Sequence, residues 1–139
     1  PTDPDPLADQ GQHEFKLGIL PLQNHFTSTS LVQDALHFNN PPIVLNGKFN
    51  QEFPIQLNSS EVTLESFKKC EFDNSIIVRL VENKGKLNNV ILSLPQQYQC
   101  KETDLMENEI SAMTLNQNQV QLAFNPFEIK TLKLIKKGI

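Results

Sequence analysis

Apolar residues change their spacing along the 139-residue chain, and the changes mark out its elements. From His13 to Leu22, Phe15, Leu17 and Ile19 alternate with Glu14, Lys16 and Gly18. That is the period-two pattern of a half-buried strand, ended by Pro21. Thr27, Ser28, Thr29 and Ser30 then offer N-cap hydroxyls to a short helix. Its Leu31, Val32, Ala35, Leu36 and Phe38 fall along one side. Asn39-Asn40-Pro41-Pro42 stops it, because proline lacks a donor and restricts the residue before it. Ile43 to Leu45 is a brief extended run closed by the turn signal Asn46-Gly47.

From Phe53 onward the pattern is that of strands. Phe53, Ile55 and Leu57 alternate with polar partners, and Val62 and Leu64 lead through Phe67 to Cys70 and Phe72. Ser75 to Glu82 is apolar on both faces, which predicts a central strand. Asn83-Lys84-Gly85-Lys86 is a polar connection of hairpin length, and Leu87 to Leu94 is a strand ended by Pro95. After a less regular stretch, Ile110 to Leu115, Val120 to Phe124 and Phe127 to Ile135 complete the series. In the last of these, Phe127, Ile129 and Thr131 on one face and Leu132 and Leu134 on the other read as core. The pattern predicts an all-β fold, an antiparallel β-sandwich with one short helix near the N-terminus. No fixed-period repeat suggests a solenoid or propeller. Residues 1–50, opening on the linker-like Pro1-Thr2-Asp3-Pro4-Asp5-Pro6, read as the end of a preceding domain or a segment packed on the sandwich. Residues 51–139 read as the sandwich itself.

Composition narrows the function classes. Aromatic residues are nine Phe and one Tyr, with no Trp, so the stacking platforms of many sugar-binding modules are missing apart from Tyr98. Asn and Gln together number 26, an amide-rich surface that can hydrogen-bond sugars but does not decide the matter. Net charge is −4, and the basic cluster Lys130, Lys133, Lys136 and Lys137 reads as a solvated strand end, which argues against nucleic acid as a partner. No run reaches a membrane span and no signal peptide opens the chain, so neither a membrane nor an export route is expected. The first residue is Pro1 and the only methionines are Met106 and Met113, so a processed or excised chain is expected. Cys70 and Cys100 are too few for a disulfide framework and read as free thiols of a reducing compartment. Asn58-Ser59-Ser60 is formally a glycosylation sequon, common by chance in so Asn-rich a chain.

Four segments, in order, resemble the C-terminal region of family 38 glycoside hydrolases, the α-mannosidases, especially the bacterial type. They are Asp9-Gln10-Gly11-Gln12-His13-Glu14-Phe15 with the Lys16 to Pro21 run after it, and Ile77-Val78-Arg79-Leu80-Val81-Glu82, where Val81 replaces an aromatic. Glu102-Thr103-Asp104-Leu105-Met106-Glu107 and the final-strand-like Pro126 to Leu134 complete the set. The resemblance implies a parent enzyme that hydrolyses α-mannosides with retention, through a covalent intermediate on an aspartate and a zinc-bound site. It places the nucleophile and the zinc ligands in an N-terminal catalytic domain, which becomes this chain's partner, along with mannosides reached through the parent. No segment here matches those catalytic motifs. The chain alone is therefore expected to be inactive, to hold no cofactor of its own, and to work in a bacterial cytoplasm.

Candidate chemistry agrees with that expectation. Glu102 and Asp104 would share a strand face, but a retaining glycosidase needs two carboxyls about 5–5.5 Å apart, and an acidic surface turn with Glu107 is the simpler reading. Arg79, inside an apolar strand, needs a partner, and Asp104 or Glu107 could pair with it. Asp9 and His13 are residue types that zinc accepts, yet further ligands would have to come from His25, His37 or distant carboxylates at no recognisable spacing. His13 reads as an interface or core residue. Asp9, His13 and Arg79 remain the candidates for contact with substrate, no metal ligand is assigned, and no catalytic residue is expected. The rival from another class is an independent carbohydrate-binding or adhesion module. The orphaned strand and helix also predict that residues 9–50 present an apolar surface to a missing domain.

Overall fold

The computed structural model describes residues 10–25, 30–48 and 54–138. Asp9, the hydroxyls of Thr27, Ser28 and Thr29, and Phe53 lie outside them. Among the described residues one helix, α1 (Leu31–Asn39), precedes eight strands. These are β1 (Gln56–Leu57), β2 (Val62–Lys69), β3 (Ile76–Glu82), β4 (Asn88–Ser93), β5 (Tyr98–Thr103), β6 (Glu109–Ala112), β7 (Gln119–Phe124) and β8 (Ile129–Lys136). They form two antiparallel sheets, β1-β4-β7 and β2-β3-β8-β5-β6. The predicted β-sandwich is the observed fold.

The core follows from strand parity. On β3, Val78 and Leu80 point between the sheets, as do Leu132 and Leu134 on β8, and Val90 and Leu92 on β4 meet Val120, Leu122 and Phe124 from β7. Each such side chain contributes about 1.5–3 kcal/mol by leaving water. Ile77, on the opposite face of β3, is also fully buried, as the two-sided apolar pattern predicts for a strand between two neighbours.

Besides the stretch after Pro95, read as less regular but carrying β5 between β8 and β6, three expectations from the pattern fail. The Asn83 to Lys86 connection is short, yet it joins no hairpin: β3 and β4 lie in different sheets, so the chain crosses the sandwich there. Phe127 is no core strand residue. It sits at φ 59° in the turn before β8 and is 62% exposed, and Ile129 at the strand's start is also exposed. The third concerns His13 to Leu22, which carries no strand. Phe15, Leu17 and Ile19 are 81%, 92% and 96% exposed, because no described strand lies beside them to cover either face.

Helix α1 ends where Asn40 donates back to the Leu36 carbonyl, just before Pro41. Ser30 occupies the N-cap but bonds the Asp34 carboxylate rather than a backbone amide. No residue of the helix is fully buried. Its Leu31, Ala35 and Phe38 line a groove against Gly18, Ile19 and Leu20, where a side chain at Gly18 would press on the Phe38 ring. Among the described residues no helix is long and apolar enough to cross a membrane.

Candidate functional site

At one end of the sandwich a single buried carboxylate holds both nearby crossings between the sheets. Glu82 follows Val78 and Leu80 on the inward face of β3 and has no exposed surface. Its oxygens accept backbone N–H groups from Lys84 (2.8 Å), Gly85 (2.8 Å), Lys86 (3.3 Å) and Phe127 (3.0 Å), and the Asn88 side-chain amide (3.0 Å). Burial pushes its pKa up, but the backbone donors outweigh that and hold it below the ordinary carboxylate value. The turns joining β3 to β4 and β7 to β8 are thus tied to one anion. They also meet directly: Gly85 at φ +69° lies under the Phe127 ring, where a Cβ would come within 2.7 Å.

The outer face of the larger sheet is built on charge. Register places Lys68, Ile77, Lys133 and Lys101 in one row across β2, β3, β8 and β5. Three lysines so close repel one another unless anions are interleaved. Loops and the edge strand supply them. Lys133, almost buried, reaches Asp73 at 2.8 Å and Glu109 at 3.3 Å, while Lys101 also binds Glu109. Lys68 is held by Glu71 and Glu107, each at 2.8 Å. Glu107 also accepts the Glu71 backbone N–H at 2.8 Å, fastening the β5–β6 loop onto the β2–β3 turn. The Lys68 ammonium is the main cause that brings the Glu107 pKa down to about 2. Asp73 is likewise held well below the usual range, first by Lys133.

Arg79 occupies the next row, with a structural task. Its Nε donates to the Thr131 hydroxyl at 3.3 Å and its Nη2 to the Leu105 carbonyl at 3.2 Å. The expected pairing with Asp104 or Glu107 does not form, because Glu107 is taken by Lys68. Asp104 caps its own turn by accepting the Met106 and Asn108 amides. Glu102 turns instead to Lys130 at 3.3 Å. Glu102 and Asp104 therefore serve separate partners.

His13, His25 and His37 are all exposed, so His13 is not a core residue. Asp9 lies outside the described residues. Among the described residues no group of three or more His, Cys, Asp or Glu could hold a metal ion, so the zinc implied for the parent finds no fitting site on them. Cys70 and Cys100 are buried and free, and burial, chiefly, pushes the Cys100 thiol up to about 12. In the N-terminal segment, Phe15, Leu17, Ile19, Ile43, Val44 and Leu45 are each more than four-fifths exposed.

Glu82 was missed as an organising residue by sequence reasoning, though a signal was present. An acid two and four positions beyond Leu80 and Val78 on an inward face must either be paired or break the strand pattern. Nothing local in the sequence announced the charged row, which depends on the order of strands in the sheet.

Comparison with known proteins agrees with the fold. Residues 61–132, a little over half of the chain, match the family described as "Glycosyl hydrolases family 38 C-terminal beta sandwich domain". Over 97% of its length the chain is 31% identical to alpha-mannosidase 2C1 of Homo sapiens and 28% identical to that of Mus musculus, and it spans 14% of each. Alpha-mannosidase G of Dictyostelium discoideum is 26% identical over 97% of the chain, which spans 13% of that protein. The chain belongs to glycoside hydrolase family 38, whose C-terminal β-sandwich domain it carries.

Proposed function

We propose that this chain is the non-catalytic C-terminal part of an α-mannosidase, a sandwich that buttresses the catalytic part of its parent and borders the sugar site. Residues up to about 50 form the docking segment and residues 51–139 the sandwich. The parent hydrolyses α-mannosides with retention in a cytoplasmic setting, and its catalytic domain, not this chain, supplies the nucleophile and the zinc ligands.

The observation that carries the reading is the exposure of Phe15, Leu17 and Ile19 in a chain that covers 14% of its mammalian relatives. Apolar side chains lined up on one extended segment are the mark of a surface that is covered in the working protein. On the sandwich, Lys68, Lys101, Lys130 and Lys133 are paired with acids and Glu82 is held by backbone amides, which suits a scaffold. Free, buried Cys70 and Cys100 support the reducing compartment.

Replacing Phe15, Leu17 and Ile19 together by serine in the full-length parent tests the docking role. The expected result is a lower melting temperature and lower soluble yield; a parent unchanged in both would contradict it. For the sugar-site border, His13→Ala in the parent is expected to raise KM for an α-mannoside, and an unchanged KM would remove that part.

A further inference from the structure

Residues 14–19 have the alternation of a strand, and no described strand pairs with residues 14–24. No hydrogen bond between described residues involves their backbone. Phe15, Leu17 and Ile19 share one parity and are exposed, and they alternate with Glu14, Lys16 and Gly18, which would fall on the other face of a strand. Every peptide group is an obligatory donor and acceptor, and an extended segment with unpaired groups and one apolar face is a ready template for another strand.

The relatives bear on where a partner for this segment would come from. They align over 97% of the chain, so the alignment takes in this segment, whereas the sandwich domain match begins at residue 61. The segment is thus shared with much longer proteins but stands outside the domain that follows it. We propose that residues 14–20 add as a β-strand to the edge of a sheet in the part of the parent outside this chain. Main-chain hydrogen bonds supply the attachment, and Phe15, Leu17 and Ile19 fill that sheet's core, the recurrent mode of strand addition. This rests on the accessory-domain reading and adds the means of attachment.

Amide hydrogen exchange at single-residue resolution, on the full-length parent beside the isolated chain, tests the proposal, with α-mannosidase activity measured on the same parent preparation. In the parent, at least alternate amides from Glu14 to Leu20 are expected to exchange on the order of 100-fold more slowly than in the isolated chain. Exchange in the parent as fast as in the isolated chain would overturn strand addition. Protection that appears in the isolated chain and grows with its concentration would also overturn it, in favour of a second copy as the occupant. A protected segment in an inactive parent would keep the strand and remove the functional reading; an unprotected segment in an active parent would do the reverse.

Discussion

Replacing Glu82 by glutamine should damage this domain more than any change of equal size on its surface. The carboxylate meets five donors, two on Oε1 (Lys84 N–H and Asn88 amide) and three on Oε2 (Gly85, Lys86 and Phe127 N–H). A glutamine keeps one oxygen. Whichever way its amide lies, the new NH2 group faces at least two of those donors and can accept from neither. Leaving two part-buried donors unmet, at up to about 1–3 kcal/mol each, gives at most roughly 2–6 kcal/mol of destabilisation. For a domain of this size the full loss lowers Tm by about 10 °C or more. Urea and thermal unfolding of the chain, followed by far-UV circular dichroism, measure it, with Glu61→Gln as the control. Glu61 bonds the Lys86 ammonium at 2.8 Å near the same turns but in solvent, and its replacement should leave the midpoint unchanged. A loss below about 1 kcal/mol for Glu82→Gln would refute the claim that this anion holds the two crossings.

Acid should loosen the fold through the same kind of group. Glu107 has a folded pKa of about 2 against an ordinary value of 4.5, so its stabilising effect is fully present above 4.5 and is lost as pH falls toward 2. Glu107→Gln should flatten the pH dependence of the urea midpoint across that window; an unchanged slope would contradict the Lys68 clasp. A thiol reagent should label neither cysteine of the native chain and both after unfolding, since Cys70 and Cys100 are 4% and 2% exposed. Rapid native labelling, or none in denaturant, would contradict buried free thiols.

Much of the fold could be read from spacing alone, because strand parity is a local property. Val78, Leu80, Leu132 and Leu134 announce their inward faces by alternation, and Ile77 with Val78 announces a strand flanked on both sides. The failures share one cause, namely that alternation does not reveal which strand lies beside which. Phe15, Leu17 and Ile19 carry a strand's pattern without a neighbour in this chain. The apolar character of Phe127 suits a place in the final strand, but the turn's contact with Gly85 and the Glu82 carboxylate sets its conformation. The partner of Arg79 was sought among acids of the nearest motif, yet Lys68, on a strand far off in sequence, already holds Glu107. The family resemblance survived because it rested on the order of four segments rather than on any one of them.

Hydrolysis of a chromogenic α-mannoside by this chain alone, with zinc supplied, beside the full-length parent, tests the central claim most directly. Turnover by the parent and none by the chain is the expected result. Turnover by the chain itself would contradict it and return attention to Asp9, His13, Glu102 and Asp104.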